Sequence, residues 1–341
     1  MISDSVEISV RGKWLRVPAL NVNGNTIFAT GGRLRVAAVH DGDWLESELK
    51  DPEACIRELQ AEREKRLRAD IFTFAQMLPS TTPKYSYPLE WDSIAAIRLT
   101  SFENWWQSLP QESRKNVRRS EKRGVRLGLS KFDHDLVSAI MEVNNESPIR
   151  QGRKFPHHGK SFEEVKKDYS GFLDRSQFIS AFFGNELAGL LKLVYRGEIA
   201  SVLQLITKAC HYDKKPANAL LAKAVELCEA NGVKYLSYGK FHYGNKRGDS
   251  LAEFKTRNGF EEFLLPRYYV PLTRRGAFYI KLGLHHGLLE ILPRQVIALG
   301  LATRANWYDL KRSLSRCSSK LEQPNRNRRM ERANPPAGSN L

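Results

Sequence analysis

The sequence predicts an α+β fold: a mixed, mostly antiparallel sheet flanked by helices, with a β-rich N-terminal extension and a helical C-terminal tail. Three observations lead to this prediction. Residues 4–40 alternate apolar and polar side chains between glycine-containing turns, which is typical of strands. Residues 177–209 contain three apolar runs separated by Gly-Asn-Glu and Arg-Gly-Glu, which predicts an antiparallel meander. Helical patterns surround this meander, and an amphipathic pattern continues beyond residue 272.

The composition indicates a globular chain with a surplus of positive charge. The 341 residues are 41% hydrophobic and 27% charged, which suits a protein with a substantial core. The formal net charge of +16 favours anionic partners, namely nucleic acid, phosphorylated substrates or anionic lipid, without choosing among them. The N-terminus does not have the pattern of a secretory signal, and no run of about 18 uncharged apolar residues occurs. The four cysteines lie far apart, so we expect a cytoplasmic protein without a zinc site.

The first segment, 1–99, is predicted as a region of strands and one helix. Strands are expected at 6–20 and 33–42, where the alternation is clearest. The segment 51–78 begins with an Asp cap and a first-turn proline and contains no later helix breaker, which predicts a single helix. A proline-bearing loop follows, and the apolar run at 94–99 predicts a strand.

The second segment, 100–272, contains the main predicted domain. It opens with a helix that is interrupted at Pro110 and is strongly basic beyond it. The later elements are a strand at 125–132, helices capped by Asp133 and Ser161, the meander, a helix from Pro216 to Ala230, a strand at 233–238, a short helix at 249–258, and strands at 260–265 and 267–272. Glu164 occupies the capping-box position relative to Ser161.

The order of elements over 125–272 resembles the GNAT acyltransferase fold. That order is strand, two helices, three antiparallel strands, helix, strand, helix and two strands. The resemblance implies a sheet that splays between its fourth and fifth strands, with an acyl-coenzyme A in the split. The fourth strand is predicted at 199–209. The helix that starts at Pro216 would direct its N-terminus at the diphosphate, because unpaired amides and the helix dipole attract anions there.

The turn before this helix is the predicted binding site for the diphosphate of an acyl-coenzyme A, with acetyl-coenzyme A as the leading candidate. It consists of Lys214, Lys215, Pro216, Ala217 and Asn218. The family signature contains glycines here, whereas in this chain the lysines would supply point charges. Proline suits the first helical turn because its missing N–H has no partner there anyway. A solvated turn is the alternative for the lysines, and Asn218 can either cap the turn or contact the diphosphate.

A narrower resemblance is to the Fem-type branch, which includes the peptidoglycan-bridge aminoacyltransferases. The matching motifs are Leu109-Pro110, the basic stretch 114–123 with Gly124-Val125, Pro216-Ala217-Asn218, and Phe254-Lys255 followed by Asn258-Gly259-Phe260. The resemblance implies transfer of an acetyl or aminoacyl group to an amine of a cell-envelope or polysaccharide precursor. It adds aminoacyl-tRNA as the alternative donor. Fem proteins carry two GNAT units, so 1–99 would be a reduced first half.

The acid–base residues are marked less clearly. Acyl transfer to an amine needs a base, donors for the oxyanion and an acid for the leaving group. The family base is often a Glu on the fourth strand, but 199–209 contains no carboxylate, and Gln204 is its central polar residue. By family position Tyr238 is the predicted acid, with a core tyrosine as the alternative. His242, in the following loop, is a further candidate, with a surface histidine as the alternative.

The predicted substrate-binding residues are Lys255, Arg118 and Arg119, with solvent-facing side chains as the alternative. Their partner would be a small-molecule, lipid-linked or nucleotide-linked amine. No metal site is proposed, because the histidine pairs at 157–158 and 285–286 lack further ligand spacing.

The C-terminal tail is predicted as an amphipathic helical pair at 273–310 and a basic, disordered segment at 311–341. The pattern over 277–310 suits a helix in a membrane interface, at the inner face of the membrane, with packing on the domain as the alternative. A rival function is that of a non-catalytic GNAT-fold protein whose basic surface binds nucleic acid or anionic membrane.

Overall fold

The computed structural model describes residues 5–10, 13–42, 48–61, 67–150, 153–242 and 250–286. The chain divides into two units, 1–285 and 286–341, and the elements below belong to the first, apart from the end of a last short turn. Twelve strands form one mixed, mostly antiparallel sheet, so the predicted α+β class is confirmed.

The strands and helices are numbered in chain order. The strands are β1 (Ser5–Val10), β2 (Lys13–Val22), β3 (Asn25–Thr30), β4 (Val36–Val39), β5 (Ile71–Ala75), β6 (Leu89–Arg98), β7 (Val125–Ser130), β8 (Ile149–Arg150), β9 (Arg153–Lys154), β10 (Ser176–Phe183), β11 (Glu186–Arg196), β12 (Ile199–Thr207), β13 (Tyr235–Lys240) and β14 (Glu261–Pro271). The helices are α1 (Pro52–Ala61), α2 (Phe102–Ser108), α3 (Gln111–Lys122), α4 (His134–Asn145), α5 (Phe162–Tyr169), α6 (Pro216–Ala230), α7 (Ser250–Arg257) and α8 (Arg274–Lys281).

The sheet order is β1-β2-β3-β4-β5-β14-β6-β13-β12-β11-β10-β7, and β8 and β9 form a separate hairpin. The strand β6 comes from the first segment but pairs with β13 on one side and β14 on the other. The sheet therefore continues from the first segment into the second without an edge between them.

The prediction of one helix over 51–78 is wrong. The helix α1 covers Pro52–Ala61, and Ile71–Ala75 forms β5 between β4 and β14. Four consecutive residues of β5 are buried, and all four are aromatic or β-branched. Such a run suits a strand covered on both sides, where local helical signals are overridden by packing.

A single long strand, β14, replaces the two strands predicted at 260–265 and 267–272. Pro266 lies within it, although proline cannot donate to a ladder. Its position explains the tolerance, because β5 pairs with β14 only from Arg267 onward, so Pro266 lies just beyond the end of that ladder. On the other side Pro266 lies opposite Trp91 of β6.

Two hydrophobic cores cover the opposite faces of β11. Leu191 and Leu193 pack in one cluster with α6 and with Trp105 of α2, whereas Leu190 packs in another with α4 and α5. Successive side chains of a strand point to opposite faces, so the two clusters lie on the two sides of the sheet. The helices therefore flank the sheet on both faces, as predicted.

The described part of the tail is α8 and a short turn at Leu284–His286. The predictions for most of 277–310 and for all of 311–341 fall outside the described residues. Within the described ranges, no helix has both the length and the apolar character needed to cross a bilayer.

Candidate functional site

The sheet opens between β12 and β13. These two strands are parallel and pair only at their first residues, from Ile199 opposite Tyr235 to Ser201 opposite Ser237. The hydroxyls of Ser201 and Ser237 lie 2.7 Å apart and join the strands at the point where pairing ends. Beyond it, 202–207 and 238–240 diverge, and a bulge at residue 203 bends β12 further. We call this divergence the split, and it matches the splay that the resemblance implied.

One side of the split carries Tyr238 and Lys255. Lys255 is fully buried, and its Nζ donates to the carbonyl of Lys240 at 2.6 Å. The same Nζ lies 4.7 Å from the centre of the Tyr238 ring, whose other neighbour is Phe260. The structure therefore brings together the predicted acid and one predicted substrate-binding residue. Lys255 is held inside the domain and does not face solvent.

The start of α6 is tied to the end of α7. Lys215 is the N-cap residue in left-handed conformation, with φ 57°, and its carbonyl accepts from the Asn218 amide at 3.2 Å. The side chain of Asn218 donates to Asn258 Oδ1 at 2.9 Å, and both side chains are buried. Trp105 Nε1 in turn donates to the Asn258 carbonyl at 3.1 Å. Asn218 therefore neither caps the helix through its side chain nor presents that side chain to solvent.

The start of the turn between β12 and α6, ahead of the predicted site at 214–218, already holds an anion from this chain. The Glu146 carboxylate, just beyond α4, accepts from the amides of Ala209 at 2.6 Å and Cys210 at 2.9 Å. Burial acts to raise the pKa of Glu146, but the two amide hydrogen bonds outweigh it and lower that pKa. The amides at the start of this turn are therefore satisfied by a side chain.

The two lysines of the turn differ in environment. Lys214 Nζ lies 3.2 Å from the Asp213 carboxylate and 4.6 Å from the centre of the Phe183 ring. Arg123, at the end of α3, also donates to the carbonyl and the carboxylate of Asp213. Pro216 is buried, and Ala217 and Lys215 are half-buried. Lys214 is thus held by an ion pair within the turn, and Lys215 is the lysine at the helix start.

Glu146 should contribute measurably to stability. We expect Glu146→Gln to lower the free energy of unfolding by about 1 kcal/mol at neutral pH, a charge-assisted pair discounted for its exposure. Because the folded pKa of Glu146 is lowered, this contribution is present above the unfolded pKa and is lost as pH falls through the folded pKa. Urea unfolding at neutral and acidic pH measures it. Glu142→Gln, within α4, is the control, because Glu142 is exposed and only 3.6 Å from Lys208 Nζ; equal effects of the two changes would contradict the prediction.

On the β12 side of the split, Gln204 contacts a polar network around the buried Asp168 carboxylate, which sequence reasoning missed. Gln204 donates to the carbonyl of Asp168 at 3.3 Å. The Asp168 carboxylate accepts from Lys160 at 2.6 Å and Trp14 at 2.9 Å, and it lies 3.2 Å from His157 Nδ1. Burial acts to raise the pKa of Asp168, but its hydrogen bonds to His157, Lys160 and Trp14 outweigh this and lower it.

This network could not be found from spacing alone. Asp168 looks like any acid on an amphipathic helix, and Trp14 lies more than a hundred residues away in β2. His157 was considered only as a metal ligand. Its pairing with a buried carboxylate gives it the arrangement of a general base, although the predicted base position, Gln204, contacts the network only through a backbone carbonyl.

The remaining predicted residues lie in other environments. His242 Nε2 is 3.9 Å from the Glu262 carboxylate, which is beyond hydrogen-bond distance, and residues 243–249 after it fall outside the described ranges. Arg118 stacks over Trp106 at 5.5 Å. Arg119 donates to Asn116 at 3.0 Å. Both arginines therefore have contacts on α2 or α3, and none of these contacts joins them to Lys255.

Among the residues that the structure describes, one group of side chains has ligand atoms close enough to suit a metal ion: Glu186, Cys210 and His211. The Glu186 carboxylate already pairs with the Lys208 ammonium and lies 2.9 Å from His211 Nε2. A lysine cation at the carboxylate disfavours a second cation at the same oxygens. We therefore assign no metal to this group.

Comparison with solved structures identifies the fold. The C-terminal domain of a putative lysylphosphatidylglycerol synthetase from Agrobacterium fabrum superposes with a TM-score of 0.52 at 13% identity, covering 78% of this chain and 87% of that domain. FemX gives 0.51 at 10%, covering 81% and 89%. L-PGS from Bacillus licheniformis gives 0.50 at 14%, covering 74% and 82%. No family model matches the chain, and no curated protein sequence matches it.

These similarities confirm the predicted resemblance at the level of fold. The chain has a GNAT-type fold of the kind seen in FemX and in the lysylphosphatidylglycerol synthetase domain. The split, with Tyr238 and Lys255 on one side and the Asp168 network on the other, is the candidate active site within it.

Proposed function

We propose that the protein is an acyltransferase that moves an aminoacyl group from the ester of an aminoacyl-tRNA to an amine of a cell-envelope or polysaccharide precursor. The observation that carries the choice of donor is the internal occupation of the first amides between β12 and α6. Glu146 holds the amides of Ala209 and Cys210, and the Asn218–Asn258 bond joins α6 to α7. The first amides after β12 are therefore not free for the diphosphate of a coenzyme A.

An aminoacyl-tRNA donor does not depend on that turn. Its phosphates can be held by other parts of a chain with a net charge of +16. The names of the lysylphosphatidylglycerol synthetase structures are in line with an aminoacyl donor. The lipid-linked or nucleotide-linked amine would approach the split from the side of the Asp168 network.

The chemistry requires attack of the acceptor nitrogen on the acyl carbon. A C–N bond forms, the ester C–O bond breaks, and the proton released by the nitrogen ends on the leaving hydroxyl oxygen. His157, paired with Asp168, would accept the proton, and Tyr238 would protonate the leaving oxygen. The buried Lys255 Nζ, 4.7 Å from the Tyr238 ring centre, would place a donor beside this acid.

The donor can be tested directly. We expect no rise in Tm with coenzyme A or acetyl-coenzyme A, and retention of charged tRNA together with transfer of its amino acid to an amine acceptor. Ligand saturating at about 100 times its Kd would add about 2.7 kcal/mol of stability, so coenzyme A binding would be visible. A clear coenzyme A shift that weakens in Lys215→Ala would overturn the tRNA donor. Retention of tRNA without transfer to any acceptor would favour the non-catalytic alternative.

Tyr238 provides a test of the site itself. We expect Tyr238→Phe to reduce kcat about a hundredfold with little change in Tm, because a general acid contributes about 10²–10⁴ to the rate. Tyr235→Phe is the matched control, since Tyr235 lies on the same strand but packs in the core on the opposite face. Equal rates for the two variants would show that Tyr238 is a packing residue.

A further inference from the structure

A basic cavity lies in the N-terminal part of the sheet, among elements that the proposed transfer does not use. Its volume is about 580 Å³. Arg33 and Arg35 reach it from the segment between β3 and β4, Arg68 from the segment before β5, and Arg275 from the first turn of α8. A cavity of this size holds a group much larger than a water molecule and falls in the range of small-ligand sites.

The charge of the cavity is strongly unbalanced. Asp70 is the carboxylate in its lining. Its Oδ2 accepts from the backbone amide of Arg35 at 3.0 Å, and its Oδ1 accepts from the Thr273 hydroxyl at 3.0 Å. Across the described ranges, none of the four arginines forms an ion pair with a carboxylate. Four arginines, three of them exposed, therefore line the cavity together with one carboxylate whose two oxygens are already engaged.

Arg35 adds an observation of its own. Its Nε is buried and has no hydrogen-bond partner among the described residues. A buried donor without a partner is costly, and a guanidinium is suited to bidentate bonds with phosphate or carboxylate oxygens. The Nε is closed off from solvent, so it is the rest of the Arg35 side chain that lines the cavity.

The start of α8 is fixed against the same cavity. Thr273 caps the helix and accepts from the Gly276 amide at 2.8 Å. Gly276 packs directly on the Asp70 backbone, where an added Cβ would lie 2.0 Å from the carbonyl oxygen. The position of the helix N-terminus is thus set by a backbone contact, and its dipole adds to the positive potential of the arginines.

We propose that this cavity is a second anion site that binds a phosphate ester group. Phosphate is the class that best satisfies several guanidinium groups and a helix N-terminus together. The same helix exposes Phe278 and Leu282, at 58% and 49%. A phosphate ester presented at a lipid surface would contact these apolar side chains as well, whereas a soluble phosphate ester would not.

The test uses the full chain and two probes, inorganic pyrophosphate and lipid vesicles. Vesicles of phosphatidylcholine alone are compared with vesicles that also contain phosphatidylglycerol. The variant Arg35→Gln with Arg275→Gln removes two guanidinium groups and leaves the Arg35 amide bond to Asp70 intact. The control, Lys131→Gln with Lys166→Gln, removes the same charge from exposed positions elsewhere. Tm measurements establish that each variant is folded.

We expect the arginine variant to weaken pyrophosphate binding at least about tenfold, about 1.4 kcal/mol, and the control to change it little, because charge-assisted bonds to the phosphate oxygens are lost. If binding to the phosphatidylglycerol vesicles falls in parallel, and Phe278→Ser with Leu282→Ser weakens vesicle binding alone, the phosphate is lipid-borne. If only pyrophosphate binding falls, the site takes a soluble phosphate ester. Equal behaviour of the arginine variant and the control with both probes overturns the proposal. These readouts are binding measurements, so failure of the proposed transfer reaction would leave them unchanged.

Discussion

Gly259→Ala is expected to destabilise the protein by about 3 kcal/mol, about twice the effect of the chemically identical change Gly232→Ala. Both glycines follow an asparagine at the end of a helix and have positive φ, 83° at Gly259 and 67° at Gly232. Both helix ends have the same hydrogen-bond pattern, in which the glycine amide and the next amide return to the last turn. The backbone contribution to the two changes should therefore be the same, about 1–2 kcal/mol.

The difference lies in what a new methyl group would contact. A Cβ at Gly259 would lie 2.7 Å from Trp105 Nε1 and 3.2 Å from Leu109 Cδ2, whereas a Cβ at Gly232 would have no atom within 4 Å. Trp105 is buried and hydrogen-bonded to Asn258, so it cannot move without cost. Overpacking of this kind costs about 1–3 kcal/mol.

Urea unfolding of the two variants beside the unmodified chain measures both values. Similar losses at the two positions would mean that Trp105 yields freely and that the contact between α2 and the end of α7 is loose. Because α7 also carries Lys255, the Gly259 variant should lose activity at temperatures where it is still folded, and the Gly232 variant should not.

Elements with strong local signals were predicted correctly. The caps at Asp133 and Ser161, with Glu164 completing a capping box, are found in the structure as expected. The meander and the helix Pro216–Ala230 were predicted from turn residues and from periodicity. Like the caps, these signals come from residues that are close together in the sequence. The sequence could therefore predict the GNAT-like order of elements.

Long-range pairing could not be predicted in the same way. The strand β5 was assigned to a helix because its local pattern continues that of α1, and only burial between β4 and β14 makes it a strand. The insertion of β6 between β13 and β14 joins residues that are far apart in the chain. In the candidate site, the position of the helix start was predicted, but its partners Glu146 and Asn258 were not, because nothing in their local sequence marks those contacts.

Lys192 should make stability depend on pH in the alkaline range. It lies opposite Gln204 in the sheet and is fully buried. Its Nζ donates to the carbonyls of Tyr169, at 2.7 Å, and Gly171, and it lies 5.2 Å from the Phe178 ring. Removal from water disfavours the charged form and lowers the pKa of Lys192 to about 8, from an ordinary value of 10.5.

The direction in which stability changes with pH follows from the number of protons bound by the folded and unfolded states. Below the folded pKa, Lys192 is charged in both states, and its burial as a cation opposes folding. Between about pH 8 and 10.5 the unfolded chain binds more protons than the folded one, so stability rises with pH. The variant Lys192→Met lacks the titrating group, so it should not show this rise in stability. Relative to that variant, the unmodified protein should gain up to about 3 kcal/mol between pH 7 and 10.5, since one pKa unit corresponds to about 1.4 kcal/mol.

Lys208→Met provides the matched control for this measurement. Burial acts to lower the pKa of Lys208, but its ion pair with Glu186 outweighs that effect and raises it, so Lys208 stays charged in both states up to its unfolded pKa. The difference between the unmodified chain and this variant should therefore be flat over the same range. A flat difference for Lys192→Met as well would mean that the two backbone carbonyls, which favour the cation, fully compensate its loss of hydration, and that Lys192 remains charged beside the split throughout.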